Sequence, residues 1–374
     1  MTNKKPLSEP LFHIVKKDAL PKWKTTLYTL IAIVISLFVS AIVCGAISKN
    51  NPFLFFKYLF EGAFKTPRKR WTFFRDTALL LGVAMALIPA FKMKFWNLGG
   101  NGQILMGALA TIYCMKKLGG KSPDWVANIC MILASMTVGA IWAVIPAIFK
   151  AFFKTNESLF TLMMNYIAVG LVNYYITKNA DTSSNTIKPI NVANLPKVYN
   201  EYMLTIIVFS VVAIFMIVYF KFSKHGYEVS VVGESENTAR YVGIKVKKVI
   251  IRTLALSGAI CGLVGLMLAG SINRTITTSS ANNMGFTAIM VAWLAKLDPI
   301  TVIFSTLFIT FVNNGMSTVR TSFKLTSVAA TNIVLGIIYF FIIGCEFFLT
   351  YRIVFRKRGK NSDKKVSEKK GEEA

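Results

Sequence analysis

The sequence is short of acid. Among its 374 residues 17 are Asp or Glu against 43 Lys or Arg, a formal net charge of +26. Histidine is scarcer still. His13 and His225 are the only two, and neither has a Cys or carboxylate cluster near it in sequence, which leaves a zinc site without support. The five cysteines, Cys44, Cys114, Cys130, Cys261 and Cys345, are odd in number and fall inside apolar runs. They read as small buried hydrophobes, so neither a disulfide framework nor a metal site is expected. No GxxxxGKS/T, GxSxG or HExxH pattern occurs, which removes a nucleotide-cradling P-loop and two hydrolytic site types.

Charge is also missing from long stretches, and these stretches decide the fold class. Ten runs carry no Asp, Glu, Lys or Arg: 25–48, 77–91, 95–115, 125–149, 158–177, 202–220, 253–273, 275–295, 299–319 and 325–345. A hydrocarbon core takes about 20 residues of helix, so the chain reads as an all-α, polytopic transmembrane helix bundle of about ten spans. Run 25–48 is longer than a signal-peptide core and has Val43 before Cys44, and is read as an uncleaved first span. Run 77–91 is short, and spans only if Arg75, Lys92 and Lys94 snorkel to the interfaces. The runs beginning at Phe95 and Thr275 have Gly, Asn, Gln, Ser and Thr in their first halves, which predicts broken or re-entrant helices enclosed by protein.

Two function classes weaken at this point. A gradient-driven carrier or channel is the alternative to an ATP-driven system, but ionisable residues inside the spans, the mark of proton or sodium relays, are absent from the runs. A membrane-embedded lipid-processing enzyme needs a catalytic cluster, and Asp124, Asp181 and Glu201 stand apart in sequence.

The positive charge lies between the runs and in the tails, as flanks of spanning helices would place it. Anionic lipid headgroups are its expected partner, and no nucleic acid is. With the N-terminus inside and ten crossings, 27 Lys and Arg fall on the cytoplasmic side and 16 outside. The positive-inside rule then predicts a multi-pass protein of the cell membrane with both termini cytoplasmic. The expected organisation is a cytoplasmic tail at 1–24, a transmembrane domain at 25–351 and a basic, polar cytoplasmic tail at 352–374. Within the domain, 49–76 is an exterior interfacial segment with aromatics among its lysines, and 221–252 is a long cytoplasmic polar segment. Each half around that segment has a Gly- and Asn-bearing run early and an Asn-bearing run late, consistent with an inverted repeat.

Three stretches carry the chemistry. WNLGGNGQILMGA at 96–108 places Gly99, Gly100 and Gly102 among Asn97, Asn101 and Gln103: glycines allow close backbone approach, and the amides offer uncharged donors and acceptors. TNESLFTLMMNYIAVGLVNYYI at 155–176 carries Asn165 and Asn173. In HGYEVSVVGESENTARYVGIKVKK at 225–248, Ser235 can cap a short helix, Glu236 suits its first turn, and Gly243 can end it in a left-handed residue. A solvated connector anchored to lipid by Lys245, Lys247 and Lys248 is the plainer reading of that segment.

In this order, and followed by LSGAICGLVGLM, these motifs resemble the permease subunits of ABC importers for nucleosides and simple sugars, within the permease family that also serves branched-chain amino acids and ribose. The resemblance covers 77–349. The chain departs from the family pattern at Asn101, where an acidic residue is usual, and at Ser235-Glu236, where Asn-Pro is common.

The resemblance implies a non-enzymatic transport subunit with no cofactor of its own, and ATP with Mg on a cytoplasmic ATPase subunit. It also implies a second permease subunit, identical or related, and an extracytoplasmic solute-binding protein. It makes the short helix a coupling element, with Gly233, Glu234, Ala239, Arg240, Tyr241 and Gly243 as contacts or shape-setters. Nucleosides are the favoured cargo and simple sugars the second. The pathway candidates are Asn97, Asn101, Gln103, Asn165, Asn173, Asn282, Asn283, Asn313 and Asn332, with Trp96, Phe286 and Trp293 as possible stacking surfaces. Interhelical amide bonding and aromatic packing are the structural alternatives for each.

Overall fold

A computed structural model describes residues 12–16, 21–180, 186–196, 198–325, 327 and 329–355. The chain forms two compact units, 1–55 with 325–374, and 56–324.

In the first unit, helix α1 (Lys22–Ser48) packs on the last helix (Ala329–Thr350). The strands β1 (Phe12–Lys16) and β2 (Tyr351–Phe355) pair antiparallel, Phe12 opposite Phe355 and Lys16 opposite Tyr351. These strands were not expected, since 12–16 and 351–355 were assigned to the tails and the end of the domain. FHIVK and YRIVF are aromatic and β-branched, which favours extended backbone once a partner strand is beside them. The pairing sets Phe12 beside Phe355. The remaining tail, 356–374, lies outside the described residues.

The second unit is helical. Helix α2 (Phe53–Phe64) precedes α3 (Pro67–Lys92), α4 (Gly100–Leu118), α5 (Asp124–Phe153), α6 (Glu157–Asn179) and α7 (Met203–Phe222). Two short helices follow, α8 (Lys224–Glu234) and α9 (Glu236–Tyr241). Then come α10 (Val246–Leu266), which runs into a wider π turn at Met267–Ile272, α11 (Met284–Leu294) and α12 (Pro299–Ser322). The last helix of the first unit is therefore α13. Eight helices among the described residues are long and apolar enough to cross a membrane: α1, α3, α5, α6, α7, α10 with its π turn, α12 and α13. Of the ten runs, the other two became α4 and α11, the pair predicted to be broken.

Local chemistry sets the boundaries. Thr66 accepts from the Lys69 N–H and Pro67 occupies the first position of α3. Asn156 caps α6, Ser223 caps α8, and Asp298 followed by Pro299 begins α12. Capping places the start of α3 ten residues before the uncharged run at 77–91: the helix is 26 residues long and carries Arg68, Lys69, Arg70, Arg75 and Asp76 in its first ten. Residues 77–91 are buried throughout, so α3 is the central post of the unit and is covered by protein. The segment 49–76 divides accordingly, α2 forming a short helix whose Gly62 meets Gly315 of α12, and 67–76 forming the first turns of α3.

The motif LSGAICGLVGLM explains the tightest packing. Gly258, Gly262 and Gly265 share a stripe of α10, which lies against Gly139 and Ser135 of α5 and against Ile104, Gly107 and Ala108 of α4. Without side chains between them the helix backbones touch, and dispersion plus shape holds them where lipid offers no hydrophobic drive.

Candidate functional site

Two helices begin in the interior and face each other. Segment 93–99 ahead of α4 and segment 273–283 ahead of α11 are non-helical, so both helices leave orphan N–H groups inside the protein. Asparagine side chains satisfy them. Asn97 Oδ1 accepts from the Gly99 N–H at 3.0 Å and from Gln103 Nε2 at 3.3 Å, and its Nδ2 donates to Ser257 Oγ at 3.4 Å. Asn165 of α6 accepts from the Gly102 N–H at 2.7 Å and donates to the Leu98 carbonyl at 2.8 Å. Asn101 Oδ1 accepts from the Gly285 N–H at 2.8 Å, joining α4 to α11. A Cβ on Gly285 would stand 2.6 Å from the Asn101 nitrogen, so glycine is required for this approach.

Beside this junction lies a cleft of about 320 Å³, a size within the usual range for small-molecule sites. Asn101 and Asn165 form its inner wall, Tyr166 and Phe286 contribute rings, and Thr278, Ser279, Asn282 and Asn283 supply hydroxyls and amides on the loop before α11. Asn282 and Asn283 both have left-handed backbone, φ 43° and 53°, which asparagine tolerates better than most residues and which turns the loop into α11. Among the described residues no Asp, Glu, Lys or Arg lines the cleft.

Four of the nine predicted pathway residues thus share one cleft. Asn97 and Gln103 are buried behind it in the hydrogen-bond network. Asn173 is exposed on α6, Asn313 is half-buried on α12, and Asn332 is exposed on α13. Of the three expected stacking aromatics Phe286 lines the cleft, whereas Trp96 and Trp293 pack on one another with ring centroids 5.2 Å apart. Sequence reasoning missed Tyr166 and Thr161. Thr161 receives the Leu98 N–H at 3.1 Å, and its position four residues before Asn165 on the same helix face was the available signal.

The second feature is the α8–α9 elbow. Ser235 accepts from the Thr238 N–H, α9 runs six residues or about 9 Å, and Gly243 ends it at φ 84° with the Ile244 N–H returned to the Ala239 carbonyl. Helix α8 was not expected. It is capped by Ser223 and packs Val229 and Val232 into a buried cluster with Ala90, Met93, Ala147, Val249 and Ile250. Gly233 lies against the Lys92 carbonyl with no room for a methyl group, and the Glu234 carbonyl accepts from Lys94 Nζ. Ala239 is fully buried, whereas Tyr241 is 92% exposed. Arg240 is exposed and 3.4 Å from Glu236. Glu228 binds Arg252 at 2.8 Å, and that guanidinium holds its carboxyl below the usual carboxylate range. The elbow is therefore fixed to the ends of α3 and α10 while its tip stands clear.

The sequence matches the family described as branched-chain amino acid transport system, permease component, over residues 71–343. It is 31% identical over 225 residues to a guanosine ABC transporter permease protein of Bacillus subtilis, covering 58% of this chain but less than two thirds, 64%, of that protein. It is 29% identical over 309 residues to a glucose ABC transporter permease protein of Haloferax volcanii, covering 77% and 80% of the two chains. A nucleoside ABC transporter permease protein of Lactococcus lactis is 26% identical over 314 residues, 79% and 84%. With most of the second unit inside the matched region, and the cleft and the elbow both within it, the chain belongs to the family of branched-chain amino acid transport system permease components.

Proposed function

We propose that this chain is the membrane permease subunit of an ATP-driven importer and forms the route for nucleosides, with simple sugars second. One observation carries the choice of cargo: the cleft is lined by amides, hydroxyls, two rings and the aliphatic side chains of Leu105, Leu162, Val169 and Ala281, and among the described residues no charged side chain lines it. A zwitterionic amino acid would need its ammonium and carboxylate matched, and the helix N-termini that could serve a carboxylate already have N–H groups bound to asparagine. A neutral base and ribose meet no such penalty. The names of the guanosine, nucleoside and glucose permeases among its relatives point the same way.

In this reading the chain performs no covalent chemistry. ATP and Mg act on a separate cytoplasmic subunit, which grips the α9 tip around Arg240 and Tyr241. Gly233 and Ala239 seat the elbow on the bundle, and Gly243 shapes its end. A second permease subunit and an extracytoplasmic binding protein complete the assembly in the cell membrane, with the elbow and both chain ends cytoplasmic. The paired broken helices α4 and α11 support the inverted repeat.

Uptake of labelled guanosine, ribose and leucine by the assembled importer tests the reading. Guanosine should be taken up fastest, leucine not at all, and ATP depletion should stop transport. Uptake that survives ATP depletion and collapses with an ionophore would establish the gradient-driven alternative instead.

A further inference from the structure

We propose that Asn101 sets the specificity of the cleft by offering Nδ2 to a hydrogen-bond acceptor on the solute's base, a ring carbonyl oxygen or an unprotonated ring nitrogen. The proposal rests on the cleft being the solute route. Its starting point is the bond between the Gly285 N–H and Asn101 Oδ1, 2.8 Å long. An N–H requires an oxygen opposite it, so this bond fixes which end of the amide faces α11 and leaves Nδ2 as the other end. Among the described residues Nδ2 has no hydrogen-bond partner, and Asn101, 8% exposed, lines the cleft.

The neighbouring amides differ. Asn165 and Asn97 use both ends of their side chains within the protein and have little left to offer. Asn282, Asn283, Thr278 and Ser279 are exposed on the loop, where water competes for every bond they make. A donor that is nearly out of water discriminates more, because a solute that leaves it unmet leaves a desolvated N–H unpaired.

The chemistry separates bases from sugars. A sugar hydroxyl both donates and accepts, so it can turn to suit either an amide N–H or a carboxylate oxygen. A base carbonyl or ring nitrogen can only accept. Asn101→Asp keeps an oxygen for the Gly285 N–H and replaces the Nδ2 donor with an acceptor. Asn101→Ala removes both.

The test is uptake by cells expressing the assembled importer, with each variant and with base analogues in which one ring nitrogen or carbonyl is replaced by C–H. In the wild type, deleting the atom that meets Nδ2 should lower nucleoside uptake about 10-fold or more. In Asn101→Asp, the ratio of nucleoside to ribose uptake should fall by a similar factor. In Asn101→Ala, stability should fall and the analogue's penalty should vanish. Nucleoside uptake by Asn101→Asp equal to wild type, or an analogue penalty unchanged in Asn101→Ala, overturns the proposal alone. Should Asn101→Asp fail to assemble, the analogue series against Asn101→Ala still decides. A wild type that takes up no nucleoside overturns both this proposal and the reading of the cleft on which it rests.

Discussion

The asparagines of this chain are divided between holding the fold and facing the cleft, and the division follows from how many of their side-chain atoms the protein consumes. Asn165 spends both, one on the Gly102 N–H and one on the Leu98 carbonyl. Asn165→Ala should therefore lower stability by about 2 kcal/mol, since two buried groups lose their partner. Asn173→Ala, at an exposed position of the same helix, should leave thermal unfolding in detergent unchanged. Equal melting temperatures for the two variants would contradict this division. The amides at 97, 101 and 165 were legible in the sequence because an amide in an uncharged run needs a partner, and glycines nearby provide room for one. Residue type does not give direction around a helix, so Asn173, Asn313 and Asn332 looked equivalent to Asn165 in sequence and are not in space.

The boundaries of elements obey hydrogen bonding more than hydropathy. Counting uncharged residues located α3 but shortened it, because Arg75 and Asp76 ended the run while Thr66 and Pro67 set the true start. The same habit hid α8, whose polar residues and length of 11 residues give no apolar run, although Ser223 was a cap signal. The α9 helix was legible because Ser235 and Gly243 mark both its ends. Helix α8 is tied to α10 through Glu228 and Arg252, and this gives the elbow a pH dependence. The carboxyl is held below its unfolded value, chiefly by the hydrogen bond from Arg252, so the bond stabilises the fold above ordinary carboxylate pKa values. That stability is lost as pH falls through the depressed folded value. With Arg252 about a third exposed, roughly 1 kcal/mol is at stake. Glu228→Gln should lower the melting temperature at pH 7 and flatten its decline as the pH falls below the ordinary carboxylate range, relative to wild type. A decline identical in both proteins would show that other carboxyls account for it.

At the scale of the molecule, the second unit has two distinct ends. Met93, Phe95, Val232, Ala239 and Val246 gather at one. At the other, the loop 186–196 is fastened to the start of the cleft loop, the Ile190 N–H donating to the Arg274 carbonyl and Thr275 Oγ1 to the Ile187 carbonyl. Tyr241, 92% exposed, stands at the first end and Tyr199, 89% exposed, belongs to the second. The proposed orientation therefore predicts opposite access: Tyr241→Cys labelled by a membrane-impermeant maleimide only after cells are opened, Tyr199→Cys labelled in intact cells. Both cysteines reacting from one side would reverse or refute the topology. The helical class was legible because twenty-residue apolar runs have few other uses. The strand pair was not legible, since it joins residues at opposite ends of the chain and neither strand announces the other.

That strand pair brings Phe12 beside Phe355. Phe12 and Phe355 stand opposite each other in the register, so they are one strand spacing, about 5 Å, apart. A linker of a few residues from Phe355 to Phe12 would join the ends without disturbing β1, β2, α1 or α13. New termini opened at Gly120, an exposed turn residue at φ 72° with open space around it, would then break no helix and would stand on the side that the proposed orientation makes exterior.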